Sequence, residues 1–101
     1  MGVAEGHPES PASIAQRPDL LEFGLVKAAR RGYEMAGVGP GDIDCAEVHD
    51  CFTPTEIVLM EDLGFSERGR AWQDVLDGAF DLDGRIAVNA DGGLKSFGHP
   101  V

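Results

Sequence analysis

Cysteine, tryptophan and positive charge are all scarce in this chain of 101 residues, which contains two cysteines and one tryptophan. Its 8 lysines and arginines stand against 18 aspartates and glutamates, so the formal net charge is −10. The few cations form no cluster, which excludes the basic face that nucleic-acid binding requires. Two cysteines do not make a disulfide scaffold, so a reducing compartment is the simpler assumption.

Long apolar runs are absent as well. No run approaches the ~18 residues that a membrane-spanning helix requires. Residues 1–10 lack the charged and apolar regions of a secretory signal peptide. We therefore expect a soluble protein of the cytoplasm, with no membrane span and no nucleic-acid partner.

The first part of the chain predicts a strand, a loop and a helix. The apolar Met1–Ala4 predicts a short strand, and the prolines that follow predict an irregular loop up to residue 19. From Leu21 to Ala36, apolar residues recur at helical spacing, which predicts a helix with Asp19 as its N-cap. The glycines and the proline of residues 38–42 predict its end.

A strand and a second helix are predicted next. Residues 43–52 have the pattern of a strand with mixed faces. Thr53 as N-cap, Pro54 at the first helical position and Glu56 as partner of a capping box predict that a helix follows at once. We expect Gly64 to end this helix. The predicted buried stripe consists of Ile57, Val58, Met60 and Leu63.

The last part of the chain predicts a short helix over residues 71–76, with Trp72, Val75 and Leu76 facing inward, and a strand over 86–89. A glycine-rich loop follows. This order of elements predicts an α/β fold, a βαβαβ layer with helices on the sheet. We expect a single domain over 1–101, in which residues 1–19 form the strand and proline-rich loop and residues 20–101 form the core.

Residues 49–52, with the sequence HDCF, are the first candidate site because they join a strand end to a helix N-terminus, where α/β proteins place ligands. The helix dipole can lower the pKa of a thiol such as Cys51, and His49 can exchange a proton or bind an oxyanion. The alternative is structural: Cys51 is a small buried apolar residue and Asp50 supports the start of the helix. The residues alone leave both open and favour the structural interpretation.

The glycine-rich segment from Gly92 to Pro100 is the second candidate. Glycines on either side of His99 let the backbone approach a substrate closely. Parallel strands ending near residues 49 and 89 would bring both candidates to one edge of the sheet. The alternative is an exposed loop whose histidine has no function.

Metal and nucleotide sites receive little support. His49, Asp50, Cys51 and His99 could in principle chelate zinc, but the usual spaced ligand pairs are missing. The glycines also lack the pattern of a phosphate-binding loop or a dinucleotide fingerprint. We predict neither a metal nor a cofactor.

Together, HDCF and the later pattern VNxxGGLxxxGHP (residues 88–100) resemble the C-terminal half of the thiolase superfamily. HDCF in particular is similar to the sterol-carrier-protein-x type of thiolase and its bacterial lipid-transfer relatives, whereas most other thiolases carry Asn-Glu-Ala-Phe there. The resemblance runs from about Leu21 to Val101. It implies an incomplete thiolase-like half.

The resemblance implies an acetyl-CoA C-acyltransferase, which performs Claisen condensation or thiolysis of 3-oxoacyl-CoA. In that family, the histidine of the GHP motif, here His99, activates a nucleophilic cysteine of the N-terminal half. The first residue of the HDCF motif, here His49, holds the thioester oxyanion. Cys51 would shuttle the α-proton. The predicted substrate-binding positions are Phe52, Asn89, Gly92, Gly93 and Gly98.

The implied partners are an acyl-CoA substrate, the missing N-terminal half and further copies in a homo-oligomer. Alone, the segment is expected to be inactive, marginally folded and to expose apolar surface on the order of several hundred Å². Two alternatives stay open. One is a thiolase-like aldolase that cleaves a steroid side-chain CoA thioester, and the other is a non-catalytic lipid-transfer or interaction module.

Overall fold

The computed structural model describes residues 1–5 and 25–100. Helix α1 spans Leu25–Ala36 and ends at Gly37, whose φ of 70° is left-handed. The helix thus ends just before the glycines and the proline that predict its end, and a short 3₁₀ turn at Pro40–Asp42 follows. The N-cap at Asp19 and the start of the predicted helix at Leu21 lie outside the described residues.

The remaining elements are β1 (Cys45–Ala46), α2 (Thr53–Asp62), α3 (Ala71–Leu76), β2 (Ala87–Val88) and α4 (Gly93–Phe97). Strands β1 and β2 pair in parallel, with Cys45 opposite Ala87 and Ala46 opposite Val88. This arrangement confirms the predicted mixture of helices with a parallel sheet. Both strands are shorter than predicted, because beyond Ala46 the pairing passes to side chains: the Val48 N–H donates to Asn89 Oδ1.

The predicted first strand is not formed by residues 1–5, which have no regular structure. This segment lies against α1, where a side chain on Gly2 would collide with the carbonyl oxygen of Gly32. A segment packed on a helix has no neighbouring ladder of backbone groups to join. Among the described residues, the sheet therefore has two strands.

The core of the described residues is centred on α2. Met60 is 1% exposed and packs with Phe65, Ala71 and Ile86. Val58 is buried, and Ile57 and Leu63 are partly buried, so the predicted stripe of α2 is confirmed. Helix α2 contacts both α1 and α3. Gly64, with a φ of 81°, follows its C-cap as predicted.

The predicted cap of α2 is wrong by one residue. Phe52 is the N-cap, and its carbonyl oxygen accepts the N–H groups of Thr55 (2.9 Å) and Glu56 (3.3 Å). Thr53 is therefore already helical and Pro54 is the second helical residue. The capping box does not form, because a helical Thr53 cannot present its hydroxyl to the N–H groups of the first turn.

Helix α3 has the predicted bounds but not the predicted orientation. Ala71 is fully buried, whereas Trp72 is 55% and Leu76 is 73% exposed. The polar edge of the helix faces the body of the domain, since Asp74 accepts a hydrogen bond of 2.5 Å from Ser66. The Trp72 indole instead donates to the Gly69 carbonyl oxygen at the surface.

The glycine-rich loop contains a helix that the sequence pattern did not predict. Gly92, with a φ of 93°, precedes α4, and Gly98, with a φ of 108°, ends it by donating its N–H to Leu94. Such left-handed conformations are the ones that glycine adopts without cost. None of the helices in the described part of the chain has the length and apolarity to cross a bilayer.

Apolar exposure is considerable over the described residues. The large apolar side chains that are exposed belong to Met1, Val3, Met35, Val38, Phe52, Trp72, Val75, Leu76, Leu82 and Phe97. The area of apolar surface and the marginal folding of the isolated segment stay predictions.

Candidate active site

Two loops meet at one edge of the sheet. The β1 loop (residues 47–52) leaves the carboxyl end of β1, and the glycine loop (residues 89–92) leaves the carboxyl end of β2. Parallel pairing places both exits on the same side. The glycine loop then leads through α4 to Gly98 and His99.

The two histidines come together at this edge. The ring centroids of His49 and His99 lie 5.1 Å apart, with an angle of 77° between the ring planes. Both side chains are exposed, so a ligand can reach them from solvent. The predicted convergence is confirmed, although fifty residues separate the histidines along the chain. An exposed pair of imidazoles can move protons and donate hydrogen bonds to a developing oxyanion.

Side-chain hydrogen bonds join the two loops. Asn89 Oδ1 accepts the Val48 N–H at 2.7 Å, and Glu47 Oε1 accepts the Ala90 N–H at 3.1 Å. Asp50 Oδ1 accepts the Leu94 N–H at 3.0 Å, which ties the β1 loop to the first turn of α4. Asp50 therefore supports α4 rather than the start of α2, contrary to the structural alternative.

The absence of a side chain at Gly93 leaves space for the Asp50 carboxylate. This glycine is buried with a φ of 65°, and a Cβ at this position would overlap the carboxylate of Asp50. Gly98 differs, because a Cβ there would meet no atom within 4 Å. Gly92 is also left-handed and lies against the Ser96 side chain. The substrate-binding roles of the three glycines stay predictions.

The side chains after His49 are open to solvent. Cys51 is an exposed free thiol, so its alternative interpretation as a buried apolar residue is wrong. Phe52 is 71% exposed beside it. The side chain of Asn89, by contrast, bonds within the chain, to Val48 and through Nδ2 to Glu56 Oε1 at 3.5 Å. The roles predicted for Cys51, Phe52 and Asn89 stay predictions.

Glu56 belongs to this site, whereas its place three residues after Thr53 predicts only a capping role. Burial raises the pKa of the Glu56 carboxyl, and the negative charge of Asp50 raises it further. Both causes disfavour the charged form of Glu56. The signal that could have found Glu56 is its position one helical turn past HDCF.

The raised pKa of Glu56 predicts a pH dependence. The protonated Glu56 carboxyl favours the folded chain. This stabilisation is fully present below the ordinary pKa of 4.5 and is lost as the pH rises through the higher pKa of the folded chain. Acidification from pH 7 to 4.5 should therefore stabilise the chain more than its Glu56→Gln variant. The difference should stay below about 1 kcal/mol, since solvent screens this partly exposed group. Urea unfolding followed by circular dichroism measures it.

The matched control is Glu67→Gln, which removes the same charge at an exposed surface position. It should follow the wild-type chain at both pH values. A Glu56→Gln variant that gains as much stability on acidification as the wild-type chain would contradict the assignment.

Groups of three or more His, Cys, Asp or Glu side chains that could hold a metal do not occur in residues 1–5 and 25–100. His49, Asp50, Cys51 and His99 thus form no such group.

The parallel strand pair and its converging histidines define an α/β protein with a histidine site at one edge of its sheet. Over residues 6–101 the chain matches the family described as "Thiolase C-terminal domain-like". The chain belongs to this family, as the HDCF and GHP motifs predicted.

Its relatives include acetyl-CoA acetyltransferase of Methanothermobacter thermautotrophicus, 51% identical over 90 residues. That match covers 88% of this chain and 24% of the relative. Sterol carrier protein 2 of Bos taurus is 43% identical over 83 residues, covering 81% of this chain and 15% of the relative. The chain thus spans a quarter or less of these relatives, which are much longer proteins.

A solved structure described as "Ltp2-ChsH2(DUF35) aldolase" superposes with a TM-score of 0.87 at 28% sequence identity. The superposition covers 97% of this chain and 27% of that chain. The thiolase-like fold is therefore shared with a protein whose described activity is that of an aldolase.

Proposed function

We propose that this chain is the C-terminal catalytic part of an acyl-CoA thiolase, which joins or splits 3-oxoacyl-CoA by Claisen chemistry. The observation that carries the proposal is the His49–His99 pair, exposed at the strand edge with ring centroids 5.1 Å apart. The similarity of the chain to acetyl-CoA acetyltransferase, at 51% identity, supports the same reaction. The CoA thioester is the substrate, and the reaction needs no further cofactor.

In the proposed thiolysis, His99 accepts the proton of a nucleophilic cysteine supplied by the N-terminal half of the enzyme. The thiolate attacks the 3-oxo carbon, and the bond between C2 and C3 breaks. His49 donates a hydrogen bond to the thioester oxygen as the departing acetyl-CoA enolate forms. Cys51 gives that enolate its α-proton and then takes the proton of the free CoA thiol. The CoA thiolate takes the acyl group from the nucleophilic cysteine, whose thiolate regains its proton from His99.

The remaining parts of the proposal concern assembly and location. The active enzyme combines this segment with an N-terminal half, forms a homo-oligomer and works in the cytoplasm. The greater length of the relatives supports the first of these.

Exchange of segments tests the proposal. The chain replaces the matching segment of the Methanothermobacter acetyl-CoA acetyltransferase, and thiolysis of acetoacetyl-CoA is assayed with free CoA. We expect activity within about tenfold of the parent, since proximity and orientation of the groups are retained. The chain added in trans to the separate N-terminal half provides a second format. A folded exchange enzyme without activity contradicts the proposal and favours a non-catalytic module.

The second candidate is an aldolase, which the superposition on the Ltp2-ChsH2(DUF35) structure favours. This reaction splits a β-hydroxyacyl side chain of a steroid CoA thioester and uses the same oxyanion and proton positions without an acyl-cysteine. To distinguish the two reactions, the full-length polypeptide that contains this segment is assayed separately with acetoacetyl-CoA and with the β-hydroxyacyl CoA thioester. Cleavage of the β-hydroxyacyl thioester, without thiolysis of acetoacetyl-CoA, would select the aldolase.

A further inference from the structure

The close approach of two exposed histidine rings requires contacts that hold them in place. An exposed imidazole has little packing to restrict its rotamers, and ordering it costs conformational entropy. The backbone on either side of each ring must therefore be held in place for the rings to stay together. The contacts that do this lie one residue before and one residue after His49.

The first contact is on Val48. Its N–H donates to the side chain of Asn89, whose own backbone N–H donates to the Ala46 carbonyl oxygen at 2.8 Å. Asn89 has a φ of 51°, in the left-handed region that asparagine tolerates better than most residues. In this conformation, one residue of the glycine loop binds strand β1 through its backbone and the β1 loop through its side chain.

The second contact is on Asp50. Its carboxylate accepts the Leu94 N–H at 3.0 Å and lies against Gly93. Leu94 belongs to the helix whose C-terminal end leads directly to His99. Asp50 thus connects the loop that carries His49 to the helix that leads to His99.

We propose that Asn89 and Asp50 are positioning residues, which hold His49 and His99 together by binding the backbone across the two loops. Neither side chain has to touch the substrate. The inference deepens the proposed function, on which its catalytic consequence rests, but the positioning itself is measurable without any reaction.

The experiment is nuclear magnetic resonance on the 101-residue chain, with isotope-labelled histidine, in complex with the unlabelled N-terminal half of the enzyme. We expect a nuclear Overhauser effect between the ring protons of His49 and His99. Asp50→Ala and Asn89→Ala should abolish it. Asp50→Asn should restore it, because the amide keeps an oxygen that accepts the Leu94 N–H.

The controls separate positioning from folding. Asp83→Ala removes an exposed carboxylate elsewhere and should leave the effect unchanged. The Met60 and Ile86 methyl signals report the core. An effect that persists in both alanine variants overturns the proposal, as does its loss in Asp50→Asn. Collapse of the core signals in Asp50→Ala also counts against it, because a positioning contact leaves the core intact.

The catalytic consequence is measured in the segment-exchanged enzyme. Asp50→Ala should lower kcat about tenfold or more with little change in KM, because misplaced groups slow the reaction without weakening substrate binding. If the histidine signals behave as expected but the enzyme is inactive throughout, the positioning stands and the proposed function fails.

Discussion

Replacement of His99 by alanine in the segment-exchanged acetyl-CoA acetyltransferase is expected to lower kcat/KM for acetoacetyl-CoA thiolysis at least about 100-fold. The reason is that the nucleophilic cysteine then loses the group that accepts its proton, and the thiolate is the reactive form. Initial rates at several acetoacetyl-CoA concentrations give the value. A loss below about tenfold, or ~1.4 kcal/mol of barrier, would show that His99 does not have this role.

The other histidine offers a conservative variant that separates its role from that of His99. Asparagine keeps an N–H donor at the site, so His49→Asn should retain activity within about tenfold. His49→Ala removes the donor and should lose about 100-fold. Equal losses in both variants would mean that His49 acts through something other than a hydrogen bond.

Replacement of Gly93 by alanine should cost about 2–4 kcal/mol of the free energy of unfolding. Its φ of 65° is unfavourable for any L-residue, and the added Cβ would overlap the Asp50 carboxylate. Urea unfolding of the 101-residue chain measures the loss. The same substitution should separate the β1 loop from α4.

Gly37→Ala is the matched control, because Gly37 has nearly the same φ, 70°, and a Cβ there would meet no atom within 4 Å. It should cost only the backbone term, about 1–2 kcal/mol. In an Asp50→Ala background, the excess cost of Gly93→Ala should disappear, as a double-mutant cycle would show. Equal losses for the two glycines would contradict the steric explanation.

The elements that the sequence predicted well depend on local information. Helical periodicity and glycine stops located the end of α1, nearly all of α2 and all of α3, because these signals act within one or two turns. The convergence of His49 and His99 was also predictable. It follows from the general rule that parallel strands end at a common edge, and it needs no knowledge of side-chain contacts.

The predictions that failed concern contacts between distant segments. Trp72 was expected to face inward because it is apolar, but the hydrogen bond between Ser66 and Asp74 turns the polar edge of α3 toward the body. Glu56 was read as a cap, although its neighbours are Asp50 and Asn89. Hydrophobic pattern alone does not show which polar groups will find partners.

By itself, the sequence determined the family, the order of most elements and the two motifs whose histidines meet. The contacts that hold the two histidines together are visible only in the tertiary structure. Asn89 accepts a hydrogen bond from Val48 and Asp50 accepts one from Leu94, across 41 and 44 residues of chain. Periodicity and capping are properties of neighbouring residues, whereas a hydrogen bond between loops depends on where the packed core places each backbone group. Gly93 illustrates the difference. The sequence shows that a glycine is present, but only the structure shows that a side chain there would overlap the Asp50 carboxylate.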